Sequence, residues 1–383
     1  MPDLAATLAT FTSITLTSLG MMGMLGAHRR GWTPSPRKLF GLGALAVAVV
    51  VNLTPVGSSD AASYAAYGRI SALGGDPYMT TPAQLGGTYA HWVGNAWLRS
   101  PSVYGPVATW LQTTAAQIGG HRPWLTIWLL MLVNGAVFLA AGYVLLRMAP
   151  DPVRAGLLWV ANPLLIVELV AGGHLDTLVA ALAVCAIAVA GQTARPRGDL
   201  LIGLLVGLAC SIKISSALLG LALLWPLLRQ RAWGRATRQT SVCLLILFSG
   251  YGFYGLHALE PLSAASHMVS APTLWAPIQQ LGQATVGRAA TSTAISVAWP
   301  VLMLALTLLI HRRTPETPLT VSAPFALAFA WILVAPYSMP WYTAIVWSTA
   351  ALLPRGGPPD RWLILTTTIL ALGHNGGGHG AKW

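Results

Sequence analysis

Asp60, Ser63, Tyr64 and Tyr67 recur at i, i+3, i+4 and i+7 in the stretch Gly57 to Arg69, the spacing that sets four side chains on one face of a helix. Ala61, Ala62, Ala65 and Ala66 form the opposite, small-residue face. Ser58 or Ser59 can cap this helix, and a carboxylate in its first turn is held ionised by the free backbone N–H groups there. Asp60 is therefore either a cap or a functional carboxylate. Farther along, Gly172-Gly173-His174-Leu175-Asp176 gathers a histidine and a carboxylate in one turn, and Lys213 interrupts the apolar stretch 200–228. An ammonium there is expensive unless an anion or a water-filled cavity receives it. Structural readings stand beside these: Asp176 as a helix cap, His174 as an interfacial residue, Lys213 as a snorkelling cation, and Tyr337, Trp341, Tyr342 and Trp347 as an aromatic belt.

The elements that position these groups follow from composition. Of 383 residues, 55% are hydrophobic and 8% charged, with a mean hydropathy of +0.63, which predicts an all-α polytopic membrane protein. A net charge of +12 would suit nucleic acid, but the basic residues lie in short clusters between apolar runs, as membrane topology requires, and a nucleic-acid partner is rejected. Cys185, Cys210 and Cys243 all fall within apolar runs without C-x-x-C spacing, so neither a disulfide framework nor a zinc site is indicated, and no metal or cofactor is expected. The first run, about 4–27, lacks the basic start and cleavage site of a signal peptide and reads as a membrane helix. Runs at about 39–56, 124–148, 155–171, 175–191, 200–212, 214–228, 241–258, 294–310, 320–336, 341–353 and 362–373 bring the count to about twelve helices in one membrane domain, with no separate soluble domain. The loops bearing Arg29/Arg30, Arg147/Arg154, Arg195/Arg197, Arg229–Arg238, Arg312/Arg313 and Arg355/Arg361 then share the cytoplasmic side, while Asp60, His174 and Lys213 face outward. The segment 57–123, rich in proline and glycine, is expected as an ordered extracytoplasmic loop after helix 2, because irregular backbone is not tolerated in lipid.

In order along the chain come Asp60 with Ser-Tyr-x-x-Tyr-Gly-Arg, Gly74-Gly75-Asp76-Pro77-Tyr78, Val103-Tyr104-Gly105-Pro106, Ala161-Asn162-Pro163-Leu164, the Gly172 to Asp176 turn, and Lys213. This series resembles the actinobacterial polyprenol-phosphate-mannose-dependent mannosyltransferases of the lipomannan alpha-1,6 type, within the C-type glycosyltransferase fold. The resemblance runs from about Gly57 to Lys213, and more faintly over 336–342. Two departures stand out: family members usually carry Asn where Leu175 stands, and they tend to be longer at the C-terminus. The resemblance implies an inverting enzyme in the plasma membrane, its active site facing the extracytoplasmic side. It would move mannose from a polyprenyl-phosphate sugar donor to a hydroxyl of a glycolipid or glycan acceptor of the cell envelope. One displacement needs one base, and a phosphate leaving group needs a cation but no proton. On this reading Asp60 is the base and Lys213, Arg69 or His174 meets the donor phosphate. Tyr64, Tyr67, Tyr78, Tyr104, Asp176, Trp341 and Tyr342 contact substrate. In a straight helix Arg69, nine residues after Asp60, points away from the base and reaches the site only through a bend at Gly68.

A rival reading is a polytopic secondary transporter or lipid-sugar flippase, since intramembrane Glu168 and Lys213 suit one. Such proteins tend to show two similar halves, and this sequence shows no internal repeat. No D-x-D pair or nucleotide-binding glycine loop occurs, which argues against a nucleotide-sugar enzyme or an ATP-driven pump.

Overall fold

A computed structural model describes residues 2–192, 195–314, 317–354 and 357–376; among these the chain is helical and has no strand. Helix α1 (Pro2–Arg29) and α2 (Pro36–Val50) precede α3 (Asp60–Ala72), which opens on the candidate base. Three helices of four or five residues, Pro82–Leu85, Gly87–His91 and Asn95–Leu98, lead to α4 (Pro106–Gly119) and α5 (Pro123–Met148). Then come α6 (Pro152–Leu158), α7 (Asp176–Gln192), α8 (Pro196–Ile212), α9 (Ala217–Arg229), α10 (Trp233–Tyr254), α11 (Glu260–Ala265) and α12 (Trp275–Thr285). The chain continues through α13 (Arg288–Arg312), α14 (Leu319–Val334), α15 (Ala344–Ala351) and α16 (Pro358–Gly376).

Among the described residues, four stretches are long and apolar enough to cross a membrane: Leu4–Arg29, Pro123–Met148, Pro152–Ala171 and Arg288–Arg312. A bent pair, Trp233–Tyr254 and Leu256–Ala265, turns through 109° at Gly255, whose φ is +96°. Asp176–Gln192, Ile214–Arg229 and Leu319–Val334 are apolar but shorter. The apolar runs thus reappear as helices, and of the about twelve expected only some reach full membrane length among the described residues. The run at 39–56 shows why: α2 has 15 residues and stops at Val50, before Pro55, which disfavours helix at the residue preceding it.

Close approach of backbones at glycine holds the bundle together. A Cβ on Gly43 would strike the Val160 carbonyl, one on Gly68 the Gln112 carbonyl, and one on Gly203 the Gln239 carbonyl. Gly68 therefore serves contact between α3 and α4, and α3 runs unbroken past it to Ala72.

Several of the basic loops assigned to one face meet in space. Arg154, 3% exposed, gives a two-pronged ion pair to Asp360 (Nη2 to Oδ1 2.6 Å, Nε to Oδ2 3.1 Å) and a bond to the Leu353 carbonyl. Arg29 lies 3.8 Å from Asp360, and His28 pairs with Asp151 at 2.8 Å. Nearby in sequence, Arg355 lies outside the described residues. Trp347, one of the residues read as an aromatic belt, is wholly buried and donates to the Thr367 hydroxyl; it is a core residue.

Candidate active site

The local sequence explains why three distant segments converge. Asn162 accepts from the N–H groups of Leu164 and Leu165 and donates to the Leu158 carbonyl. The Ala-Asn-Pro-Leu motif is thus a break in the helix that is capped again at once. The chain then passes through a π-helical run, Ile166–Ala171, into the two-glycine turn. Gly173 takes a left-handed φ of +67° against Ala61 of α3, and a Cβ on Gly172 would sit 2.6 Å from the His174 ring. Asn134 of α5 donates to the His174 carbonyl at 2.6 Å, and the Val56 N–H donates to the Ala171 carbonyl. The turn and the start of α3 are therefore locked together. Val103-Tyr104-Gly105-Pro106 does the same for Lys213: the Gly105 N–H donates to the Ile212 carbonyl, and a Cβ on Gly105 would strike the Ser211 carbonyl.

The result is a buried polar cluster. Asp60, 6% exposed, has its N–H bonded to Ser58 Oγ. Its Oδ2 lies 3.4 Å from both His174 Nδ1 and the Tyr64 hydroxyl, and that hydroxyl lies 3.2 Å from the Tyr104 hydroxyl. Oδ1 takes no hydrogen bond from the described residues. The His174 ring stacks on Trp341 (centroids 3.7 Å, 12°), and Trp341 meets His374 edge-on at 4.9 Å. Asp176 receives Lys213 Nζ at 2.8 and 3.1 Å, and Nζ also lies 3.4 Å from the Tyr342 ring centroid, a cation–π contact. Tyr342 in turn stacks on Trp331. Burial by itself pushes the Asp60 carboxyl up, but His174, His374 and Lys213 outweigh it and hold the group below its ordinary range.

Asp60 and Lys213 both face a cavity of about 1390 Å³, larger than most small-molecule sites. Of the described residues lining it, Asp60 is the sole carboxylate and Lys213 the sole lysine or arginine; Tyr104, Trp341, Tyr342, Tyr337 and His374 line it too.

Other residues expected at the site lie elsewhere. Arg69 reaches His121 Nδ1 at 3.3 Å and packs near the Tyr89 ring, since the straight α3 aims it away from Asp60. Tyr67 donates to the Ser100 carbonyl. Tyr78 is bonded to Thr109 and packs edge-on against Tyr254. Neither tyrosine lines the cavity; both hold loops to helices. His174 is 1% exposed and sits behind Asp60, where it touches the carboxylate and has no opening toward a phosphate. Tyr64 and Asp176 also stand behind the wall, one against the base and the other against the cation. His374 escaped sequence reasoning because it falls just past the last apolar run; its Nε2 bonds the Gly57 carbonyl at 3.0 Å.

Membrane-length apolar helices together with a buried carboxylate and ammonium define a helical membrane protein with a buried polar centre. A model of the alpha-(1->6)-mannopyranosyltransferase N-terminal domain matches residues 3–229, more than half of the chain, and the chain belongs to that family. It is similar to an alpha-(1->6)-mannopyranosyltransferase of Mycobacterium tuberculosis, at 26% identity over 396 residues, 83% of this chain and 65% of the relative. It is also similar to alpha-(1->6)-mannopyranosyltransferase B of Corynebacterium glutamicum, at 28% over 58% of this chain and 34% of the relative. A probable alpha-(1->6)-mannopyranosyltransferase of Mycolicibacterium smegmatis matches at 32% over 32% of this chain and 23% of that protein. The chain thus spans less than two thirds of the length of these curated relatives. No solved structure matches.

Proposed function

We propose that this protein is an inverting mannosyltransferase of C-type architecture. It takes mannose from a polyprenyl-phosphate donor at the outer face of the plasma membrane and passes it to a hydroxyl of a cell-envelope glycolipid or glycan. One observation carries the reading: the large cavity presents a single carboxylate, Asp60, and a single lysine, Lys213, among its described residues. Hydrolases of glycosidic bonds set two carboxyl groups about the bond, one of them to protonate the leaving oxygen. A phosphate leaving group needs no proton, so one base and one cation suffice. Asp60 Oδ1 takes the proton of the acceptor hydroxyl as its oxygen attacks the anomeric carbon. The bond from that carbon to the phosphate oxygen breaks, and the charge left on the phosphate is met by Lys213. Inversion into an alpha linkage requires a beta-configured donor.

The aromatic wall of Trp331, Tyr337, Trp341 and Tyr342 beside Lys213 supports a sugar and lipid passing over the cation. The family match and the names of the relatives support mannose as the sugar. The segment 57–123 belongs, on this reading, to the outer face with Asp60. The test is to give purified protein radiolabelled polyprenyl-phosphate-mannose or, separately, GDP-mannose. Product from the first donor alone is expected; product from GDP-mannose, or movement of the lipid without sugar transfer, overturns the proposal.

A further inference from the structure

We infer that His91, Asn95 and Trp97 form the acceptor subsite, recognising the sugar ring whose hydroxyl attacks. The inference rests on the transferase reading above, and it follows from the order that an in-line displacement imposes. The attacking oxygen, the anomeric carbon and the leaving phosphate oxygen lie in a row, so the base stands on the acceptor side and the cation on the donor side. In this cavity the two sides have different chemistry. From Lys213 the wall runs through Tyr342 and its stacked neighbour Trp331 to Leu218 and Trp299, which pack together against one apolar cluster. That wall suits a lipid-linked donor.

The wall beside the base is another matter. Gly94 packs so closely on Ser59, the residue preceding Asp60, that a Cβ there would strike its hydroxyl. The next residues line the cavity: Asn95 and His91 are exposed, and Trp97 is half-buried. An indole face covers the apolar side of a pyranose ring, while an amide and an imidazole bond its hydroxyls. The segment is also held in place before any ligand arrives. Tyr89 bonds the Thr126 hydroxyl at 2.7 Å and the Gly120 carbonyl at 3.0 Å. Val93 is buried, and the Trp97 and Leu98 N–H groups both donate to the Gly94 carbonyl. A preformed polar patch of this kind loses little freedom on binding a sugar.

The experiment measures mannose transfer from polyprenyl-phosphate-mannose to an octyl alpha-1,6-linked dimannoside, with each substrate varied in turn. Asn95→Ala and Trp97→Ala should each raise KM for the dimannoside about tenfold or more, with a change of less than about twofold in KM for the donor. Trp97→Phe should recover most of the loss, because it keeps an aromatic face. Ligand-observed NMR of the dimannoside on each protein gives a second reading, with binding weakened in both alanine variants. Asn95 is exposed, so its variant tests the subsite even if Trp97→Ala misfolds. The inference is overturned if donor KM rises as much as acceptor KM, if neither changes, or if Leu262→Ala and Ser266→Ala, at cavity-lining positions from the segment around α11, raise acceptor KM while these variants do not. A wild-type protein that transfers mannose to no acceptor and binds no dimannoside defeats the transferase reading itself.

Discussion

At Asp60, which lines the cavity, one carboxylate oxygen is turned to His174 and Tyr64, and the other takes no hydrogen bond from the described residues. His174 favours the ionised carboxylate, so its removal raises the Asp60 pKa, and a base with a higher pKa loses its charge at a higher pH. His174→Gln should therefore move the acid limb of kcat upward; a limb that stays in place or moves down contradicts a carboxylate base positioned by this histidine. At Lys213 the charge itself is at stake. Lys213→Ala should raise donor KM by about tenfold or more, because a desolvated anion loses its partner, while Lys213→Arg keeps part of the affinity. Equal donor KM in wild type and Lys213→Ala would remove the ammonium from the donor site. Both residues were legible in sequence for physical reasons: a carboxylate opening a helix after an apolar run, and an ammonium breaking one, each need a partner. The partners were less legible. Asp176 binds Lys213 across 37 positions, and nothing in its own turn tells whether it faces His174 or the lysine. The phenols of Tyr67 and Tyr78 look like Tyr104 in sequence, yet packing turns only Tyr104 into the cavity.

At the scale of elements, the motifs prove to be joints. Gly105 holds the start of α4 against the end of α8, and so ties the segment bearing Tyr104 to the one bearing Lys213. A Cβ there meets backbone and not a flexible side-chain end, so Gly105→Ala should lower stability by about 1–3 kcal/mol and slow transfer as Tyr104 and Lys213 separate. An alanine variant with wild-type melting temperature and rate would show that the joint is not needed. Gly74-Gly75-Asp76-Pro77-Tyr78 is a second joint. Asp76 pairs with His257 at 2.6 Å and Tyr78 packs on Tyr254, fastening the elbow between α10 and α11 whose residues line the cavity. Most of the longer helices were readable from hydropathy because each apolar run must bury or face lipid, although ends such as those of α2 and α10 lie six to eight residues from the run. Their breaks were not. The capped interruption at Asn162 and the π-helical run after it depend on hydrogen bonds that hydropathy does not register.

For the whole molecule, the proposed topology is a prediction: Asp60, His174 and Lys213 should lie on one side of the membrane and the cluster of Arg29, Arg154 and Asp360 on the other. Thr88, in the segment 57–123, and Gln230 are both exposed. With Cys185, Cys210 and Cys243 replaced, an impermeant thiol reagent added outside intact cells should modify Thr88→Cys and spare Gln230→Cys; the opposite pattern inverts the topology. The all-helical, apolar character was the part of the sequence most open to reading, because apolar runs recur over tens of residues. The number of full-length spans was not, since short helices such as α2 and α7 share the composition of long ones.

If Asp60 is the base, the single-turnover rate of mannose transfer from a beta-configured polyprenyl-phosphate donor, measured together with donor binding in the same preparation, depends on its carboxylate. Asp60→Asn keeps the shape and capping ability of the side chain but cannot take a proton. The rate should fall by well over about tenfold, a barrier change above roughly 1.4 kcal/mol, while the fraction of donor bound stays as in wild type. A variant that binds donor and still transfers mannose at more than about a tenth of the wild-type rate contradicts the account.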